Sequence, residues 1–299
     1  MSLFAMLSLP NRHLEELFHM PQYDYVLGHS DREVRRLGLQ AALLRPGTER
    51  ILRAAGLGPG QRILDIGTGA GDVARLAAGL VGSSGSVIGL DRETSILEQA
   101  RARTVDTGLR SVNYEEGTLD TLPAARTFDV VMCRYVVCHQ PDHVAFLRQA
   151  AARVRPGGTL IVMEPGSPDL VRPDMIANEV WSCPRVALFE EVRDLMLAGL
   201  EWGGACPQIG RGLVRLFRAA GLPEPTILLD VPTGGPASPI AELLCLTLEV
   251  LVPVLERHGI TTAGRLGIET LPARVQDAVV EASSQVRLYE LAGAWATLT

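Results

Sequence analysis

The chain has 299 residues, of which 47% are hydrophobic and 21% charged, and its mean hydropathy is +0.17. This composition predicts a well-buried globular core and excludes a disordered chain. The formal net charge is -6, and no dense run of basic residues stands out. A nucleic-acid substrate is therefore not expected, because nucleic-acid binders carry a basic patch.

The five cysteines are scattered and form no C-x-x-C pair, which predicts reduced thiols and neither a disulfide framework nor a zinc site. The first residues lack the basic region of a signal peptide. No apolar run reaches the roughly 20 residues that span a bilayer. We therefore expect a cytoplasmic protein without a membrane segment.

The N-terminal part of the chain predicts three helices. The first covers 11–20, and the second begins after Ser30, a favourable N-cap. The second helix should stop before Pro46, because the residue before a proline avoids helical dihedrals. The third runs from 48 to 56. We expect the N-terminal segment to order against the binding site of its own chain. The alternative is that residues 1–20 pack on a second copy of the chain, since a short amphipathic arm cannot bury its apolar face alone.

From residue 62 onward, short buried strands alternate with helices, which is typical of a doubly wound α/β sheet. Strands are predicted at 62–66, 86–91, 112–114, 128–133, 159–163, 226–231 and 287–296, and helices at 72–80, 94–106, 142–154, 172–200, 210–220, 239–258 and 270–283. We expect an N-terminal helical arm (1–45), a cofactor-binding core (46–166) and a part that adds a helical lid and the last two strands (167–299). The lid should cover the carboxyl ends of the strands, where ligands bind in such sheets.

The central motif is the run Asp65-Ile66-Gly67-Thr68-Gly69-Ala70-Gly71, which follows a strand and opens a helix. Glycines permit unusual dihedrals and let the backbone approach a ligand closely, and the helix N-terminus adds oriented N–H groups. Asp91 ends the next strand, at the spacing of about 20 residues where a carboxylate can accept both ribose hydroxyls. The pair predicts a site for a nucleoside cofactor.

Two cofactor classes fit such a site, dinucleotides of the NAD type and S-adenosyl-L-methionine. A dinucleotide fingerprint reads G-x-G-x-x-G, whereas here the spacing is G-x-G-x-G and Asp65 precedes it. A carboxylate at this position repels a pyrophosphate and attracts a cationic amino acid. The motif therefore favours S-adenosyl-L-methionine, with its ammonium group near the glycines.

These residues resemble class I S-adenosylmethionine-dependent methyltransferases. The run 64–72 resembles the glycine motif of that family, 128–134 resembles its fourth-strand motif, and 155–160 resembles the segment that enters strand five. The resemblance implies a Rossmann-like sheet with the strand order 3-2-1-4-5-7-6, in which the seventh strand is antiparallel.

The likeness extends to a bacterial subgroup of UbiE-like small-molecule methyltransferases of the natural-product type. Its N-terminal motif is similar to Tyr25-Val26-Leu27-Gly28-His29-Ser30 with Glu33, Arg36-Leu37 and Leu39-Gln40, and further similar segments are 134–142, 251–259 and 293–295. The cofactor contacts that follow are Tyr25, Gln40, Asp65, Gly67, Gly69, Gly71, Asp91, Arg92, Thr118, Leu119 and Arg134. The sequence departs from the family in one respect, because the acidic residue that commonly follows strand three near the adenine amino group is missing. Thr118 and Asp120 are the two candidates for that contact here.

Methyl transfer needs little acid–base machinery, because the sulfonium is already activated and alignment does most of the work. A base is needed only if the nucleophile loses a proton. Glu164, at the end of strand five, is the first candidate, and His139 the second. In the alternative interpretation, Glu164 caps the following segment and His139 bonds only to backbone. Arg134 could bind a substrate anion or pair with Glu164.

The aromatic residues Tyr23, Trp181 and Trp202 are candidates for the substrate site, since aromatic faces attract cations. The lid helices at 172–200 and 239–258 should close an apolar cavity above Glu164. Such a cavity suits a terpenoid, polyketide or aromatic product of secondary metabolism. The sequence leaves open whether oxygen, nitrogen or carbon is methylated. Two other functions also stay open, a protein of this fold without methyl transfer (a cyclase or a non-catalytic subunit) and an NAD-dependent oxidoreductase.

Overall fold

The computed structural model describes residues 31–166 and 180–299, so the expected helix at 11–20, Tyr23 and Tyr25 lie outside the described residues. The helices are α1 (Asp31–Ala54), α2 (Asp72–Val81), α3 (Thr94–Val105), α4 (His143–Ala151), α5 (Ala187–Trp202), α6 (Leu213–Ala219), α7 (Ile240–Arg257), α8 (Ala263–Leu266) and α9 (Leu271–Glu281). The strands are β1 (Arg62–Ile66), β2 (Ser86–Asp91), β3 (Val112–Glu116), β4 (Phe128–Arg134), β5 (Val154–Gly166), β6 (Trp181–Cys183), β7 (Thr226–Asp230), β8 (Thr233–Gly234), β9 (Gln285–Arg287) and β10 (Glu290–Thr297). Short 3-10 turns cover Val137–His139 and Ile209–Gly212.

Seven strands form one sheet in the order β3-β2-β1-β4-β5-β10-β7. Strands β1 to β5 pair in parallel, and β10 lies antiparallel between β5 and β7. This confirms the predicted Rossmann-like α/β sheet with its antiparallel last strand. The strand labels differ in detail from the expected order, because three short strands that the sequence did not predict interrupt the count.

The parallel register brings the carboxyl ends of the central strands to one edge of the sheet. Asp65 of β1 pairs with Gly89 of β2 on one side and with Met132 of β4 on the other. The loops that follow these three strands therefore meet at this edge, which is where open α/β sheets bind ligands.

Alternate residues of the strands fill two separate cores, since neighbouring side chains of a strand point to opposite faces. Leu64 and Val131 belong to the cluster on one face, and Ile63 and Val130 to the cluster on the other. All four are almost completely buried, so the sheet is covered on both faces and its central strands are held rigidly.

Helix α1 corrects the expectation of two helices separated at Pro46. The structure has one continuous helix with Pro46 inside it. Leu44 before the proline, and Ile51 and Leu52 after it, are all buried in the same cluster on one face of the sheet. A proline removes one hydrogen bond of the helix, and the shared packing of both halves keeps the helix continuous. It crosses the expected boundary between arm and core.

Helices α5, α7 and α9 form a layer with its own hydrophobic core, in which Phe189, Leu244 and Val275 are fully buried. The axes of α5 and α7 approach closely, since a Cβ added to Gly199 would lie 2.8 Å from the Cβ of Leu251. The helices predicted at 239–258 and 270–283 are thus confirmed, with slightly shorter bounds.

The segment Trp181–Cys183 is a strand and not the helix that the sequence predicts for 172–200. It pairs with Gln285–Arg287 in a three-stranded sheet of order β6-β9-β8. Pro184 restricts Cys183 to an extended conformation, and the long-range partner strand supplies backbone hydrogen bonds that a helix would have made locally. The helix begins only at Ala187.

Candidate functional site

A cavity of about 490 Å³ opens at the carboxyl edge of the sheet, in the size range of small-molecule sites. The loops after β1, β2, β3 and β4 contribute to its wall, together with α1 and the end of α5. Of the predicted site residues, the cavity is lined by Gln40, Asp65, Gly67, Gly69, Asp91, Arg92, Thr118, Leu119, Arg134 and His139. The structure therefore brings most of the predicted cofactor residues together.

The glycine loop requires its glycines for two different reasons. Gly67, Gly69 and Gly71 all have positive φ angles, of 63°, 52° and 76°. A Cβ on Gly67 would lie 2.5 Å from Cγ2 of Val136, and one on Gly71 would overlap the Tyr114 hydroxyl. Gly71 thus supports the loop from behind and does not line the cavity. Around Gly69 no atom of the described chain lies within 4 Å of a Cβ position, which leaves space for a ligand.

Asp91 is tied to the glycine loop. The Gly69 amide donates to its Oδ2 at 2.8 Å, and the Glu93 amide donates to its Oδ1 at 3.2 Å. These bonds fix the carboxylate at the end of β2, facing the cavity. The Arg92 side chain is about half exposed and lies 3.6 Å from the Glu93 carboxylate, so it forms part of the cavity mouth.

Asp65 is almost completely buried at the end of β1. The Thr68 hydroxyl donates to its Oδ2 at 2.7 Å. Burial raises the pKa of Asp65 to about 7, against the effects of the Thr68 hydrogen bond and the Arg134 charge, which lower it. A cation placed beside this carboxyl group would favour its ionised form. The sequence analysis gave Thr68 no role, although its hydroxyl orients the acidic residue.

The chain turns sharply where β4 ends. Tyr135 has a positive φ of 59°, which is rare for a residue with a side chain, and its ring lies 6.4 Å from that of Tyr289. Before it, Arg134 donates from Nη1 to the Thr48 hydroxyl of α1 at 2.9 Å. Arg134 therefore joins β4 to α1, and no ion pair with Glu164 is present in the described part of the chain. Strained backbone at a ligand-facing loop is a pointer to function that the sequence did not reveal.

Glu164 lies at the end of β5 and is completely buried. Its Oε1 accepts the amides of Val136 at 3.0 Å and Val137 at 2.8 Å, and its Oε2 accepts the amide of Cys138 at 3.3 Å. Burial raises the pKa of Glu164 to about 7, against these hydrogen bonds, which lower it. Glu164 is not among the residues that line the cavity. This geometry favours a capping role over a catalytic base, but the capped segment is the turn after β4 and not the segment that follows Glu164.

His139 lines the cavity from the turn that Glu164 caps. Burial, followed by the charges of Arg36 and Arg92, lowers the pKa of His139 to about 4. Its imidazole is therefore neutral at pH 7 and can accept a proton or a hydrogen bond. Of the two predicted catalytic candidates, His139 is the one that the structure brings to the cavity.

Gln40 reaches the cavity from α1 and is oriented by a buried arginine. Arg36 donates from Nη1 to Oε1 of Gln40 at 2.8 Å. Because arginine can only donate, this bond turns the amide N–H groups of Gln40 away from Arg36 and makes them available to a ligand. The sequence predicts Gln40 as a site residue but gives no sign that Arg36 orients it.

The loop after β3 lies at the position expected for the adenine contact. Thr118, Leu119 and Asp120 all line the cavity. The Thr118 amide donates to the Thr121 hydroxyl at 3.0 Å, and the Asp120 carboxylate accepts from Gln149 at 3.1 Å. Both candidates for the adenine contact thus remain in place.

The tryptophans and the second lid helix do not reach the cavity. Trp181 is in the edge strand β6, and the ring of Trp202 stacks 4.2 Å from that of His258. The apolar side chains of α7 pack against α5 and α9, so α7 contributes no residue to the cavity wall. The expectation that the lid helices close a cavity above Glu164 is therefore wrong for the described residues. Of the described part of the predicted lid, residues 203–205, which follow α5, line the cavity.

Two classes of feature are absent from the residues that the structure describes. No cluster of three histidine, cysteine or acidic side chains could hold a metal ion between 31 and 166 or between 180 and 299. Within the same ranges, every helix is too short or too polar to cross a bilayer.

Residues 57–197 match the family model of a methyltransferase domain. The match covers just under half of the chain and agrees with the methyltransferase class that the sequence motifs predict. It covers the glycine loop, Asp91, His139 and Glu164.

The chain is also similar to individual proteins. An uncharacterized protein of Mycobacterium tuberculosis is 32% identical over 145 residues, which are 47% of this chain and 52% of that protein. The 2-phytyl-1,4-naphtoquinone methyltransferase of Synechococcus elongatus is 34% identical over 135 residues, 43% of this chain and 58% of that enzyme. The ubiquinone/menaquinone biosynthesis C-methyltransferase UbiE of Ectopseudomonas mendocina is 33% identical over 126 residues, 40% of this chain and 49% of that enzyme. The chain thus spans about half the length of the curated relatives it matches.

Solved structures share the fold. The YcgJ protein of Bacillus subtilis has a TM-score of 0.53 at 16% identity, with 85% of this chain and 99% of that chain covered. A protein of Bacillus halodurans has a TM-score of 0.54 at 19% identity, with 85% and 100% covered. At these identities the likeness concerns the fold alone.

Proposed function

We propose that this protein transfers a methyl group from S-adenosyl-L-methionine to a small, largely apolar metabolite. The observation that carries the proposal is the loop after β1. A buried acidic residue, Asp65, precedes a loop of glycines with positive φ angles, and the amide of Gly69 is bonded to Asp91. A carboxylate at the glycines and a second at the end of β2 suit a ligand with an ammonium group and a ribose.

The residues of the cavity fit this cofactor. The open space at Gly69 admits a ligand to the backbone. Asp65 would attract the ammonium group, and Asp91 would accept the ribose hydroxyls. The amide N–H groups of Gln40, whose oxygen faces Arg36, are suited to a carboxylate, and Thr118 or Asp120 would accept from the adenine amino group. When bound, S-adenosyl-L-methionine supplies a methyl group that its sulfonium sulfur already activates.

The chain's own contribution is alignment and the handling of one proton. Tyr135 and Val136 form a fixed wall of the cavity next to the glycine loop, which orients a substrate and limits access of water. His139, neutral at pH 7, accepts the proton that a hydroxyl or amine nucleophile loses. A carbon nucleophile would use the same wall and release its proton to the same imidazole.

The proposed substrate is a terpenoid, polyketide or aromatic product of secondary metabolism, as in the UbiE-like natural-product subgroup. The size of the cavity and the negative net charge support a small molecule rather than a nucleic acid. Relatives named as quinone methyltransferases support an apolar ring system as substrate. We further propose a cytoplasmic protein that forms a homo-oligomer through residues 1–20. Deleting that segment should lower the mass of the assembly, measured by light scattering, to that of a single chain. An unchanged number of chains per assembly would contradict the proposed oligomer.

The test is transfer of label from methyl-labelled S-adenosyl-L-methionine to a panel of apolar phenols, polyketides and terpenoids, followed by mass spectrometry of organic extracts. The expected result is a labelled product with at least one member, and at least about tenfold less of it with Asp91→Ala when the cofactor is kept below its wild-type Kd. Binding of the cofactor without transfer to any member would favour a non-catalytic role, and consumption of NADH would favour an oxidoreductase.

A further inference from the structure

Three successive backbone amides converge on one buried carboxylate at the edge of the site. The amides of Val136, Val137 and Cys138 donate to Glu164, across 26 to 28 residues of sequence. Glu164 itself lies near the carboxyl end of β5, an inner strand of the sheet, and pairs with Ala292 of β10. The carboxylate is thus rigid, and the turn is held by it.

Glu164 holds the segment 135–140, and this segment forms part of the cavity wall. Tyr135 at its start has the strained positive φ, and Val136 fills the space next to Gly67. His139 and Gln140 at its end both line the cavity. A strained turn persists only where contacts with its surroundings hold it in place. The three amide hydrogen bonds to Glu164 are such contacts.

We propose that Glu164 is a positioning residue: it caps the turn after β4 and thereby fixes His139 toward the substrate and Val136 against the glycine loop. This inference rests on the proposed function in one respect, namely that the cavity faced by the turn binds the cofactor and the substrate. Glu164 is not a catalytic residue in this account, because its oxygens are occupied by amides and it does not reach the cavity.

The chemistry of the cap explains why a carboxylate is required. Both oxygens of a carboxylate accept, so one side chain can serve three amides. A glutamine of the same shape replaces one oxygen by an NH₂ group, which donates and therefore repels the amide that it faces. Glu164→Gln should release part of the turn, whereas Glu164→Asp keeps the acceptors and only shortens their reach.

The test is amide hydrogen exchange at Val136, Val137 and Cys138, followed by NMR at pH 8, where Glu164 with its pKa of about 7 is mostly ionised. In Glu164→Gln we expect these amides to exchange about tenfold faster or more than in the wild-type chain, because one acceptor oxygen is lost. Glu164→Asp should give a smaller increase. The imidazole signals of His139 at pH 8, assigned through His139→Gln, should move in the same variants because the turn that carries His139 is released.

Asp129→Asn is the matched control. Its carboxylate also accepts a backbone amide, that of Arg62 at 2.6 Å, but it lies at the opposite end of β4. This variant should leave both the exchange of the three amides and the His139 signals at pH 8 unchanged. If Glu164→Gln exchanges like the wild type and leaves the His139 signals in place, or if Asp129→Asn changes both equally, the proposal is overturned.

A measurement on the unaltered chain covers the case in which Glu164→Gln does not fold. Amide hydrogen exchange at Val136, Val137 and Cys138 should be slow, and fast exchange at all three would refute the cap. Binding of S-adenosylhomocysteine to the wild-type chain reports separately on the proposed function. Its absence would remove the cofactor proposal and leave the result for Glu164 intact.

Discussion

The backbone amide of Gly69 donates a hydrogen bond to the carboxylate of Asp91, at 2.8 Å between nitrogen and Oδ2. This bond links the glycine loop after β1 to the end of the neighbouring strand. The two parts of the proposed cofactor site, 22 residues apart in sequence, are therefore assembled before any ligand binds.

Replacing Asp91 by alanine should weaken the binding of S-adenosylhomocysteine by at least about tenfold, because a charge-assisted contact to the ribose is lost and the glycine loop loses its anchor. Isothermal titration calorimetry measures the affinity. Glu116→Ala is the control, since Glu116 ends the adjacent strand, its carboxylate accepts from the Thr94 hydroxyl, and it does not line the cavity. Unchanged affinity in Asp91→Ala would show that the end of β2 is not the ribose site.

Gly69→Val should abolish detectable binding of S-adenosylhomocysteine. The position has a φ of 52°, which a β-branched residue adopts only with strain, and the space around it is the space that the ligand needs. Gly79→Val on α2 is the control, because nothing lies within 4 Å of its Cβ position and it is remote from the cavity. If Gly69→Val binds as the control does, the ligand does not approach this loop.

The affinity for S-adenosylhomocysteine should decrease as the pH falls below 7. Burial raises the pKa of Asp65 to about 7 in the free protein, so below pH 7 most molecules carry a protonated Asp65. The ligand's ammonium favours the carboxylate, so binding must release a proton, and the affinity falls by up to about tenfold per pH unit below 7. Calorimetry in two buffers of different ionisation enthalpy measures the proton released.

Asp65→Asn is the matched variant for this linkage. It should bind more weakly above pH 7 and release no proton through residue 65. Proton release that persists at the wild-type level in Asp65→Asn would assign the linkage to another group.

His139→Asn should lower methyl-transfer turnover on a hydroxyl substrate by about 10²-fold, because the proton acceptor is lost. The affinity for S-adenosylhomocysteine should stay the same, since the change concerns the substrate side. His143→Asn is the control, because His143 lies at the start of α4 outside the cavity wall. Equal turnover in both variants would remove His139 from the mechanism and leave alignment alone.

The sequence predicts the parts of the fold that depend on local pattern. Runs such as 62–66, which alternate with helices, identify the parallel strands, and the spacing from Gly69 to Asp91 identifies two loops that meet at one edge of the sheet. Both follow from the geometry of a parallel sheet.

The features that the sequence does not predict depend on contacts between distant residues. Pro46 stays within a helix because residues on either side of it pack into one cluster, and Trp181 lies in a strand because its partner is more than 100 residues away. The use of Glu164 as a cap depends on a turn 26 to 28 residues earlier in the chain. A carboxylate at a strand end looks the same in sequence whether it faces a cavity or backbone amides.

The loop around Asp65 and the glycines is proposed to bind the cationic amino-acid end of S-adenosyl-L-methionine. A pair of calorimetric titrations of the wild-type chain at pH 8, one with S-adenosylhomocysteine and one with NADH, tests this proposal. We expect saturable binding of S-adenosylhomocysteine at one site per chain and no binding of NADH. Binding of NADH, or the absence of binding of S-adenosylhomocysteine, would overturn the proposal.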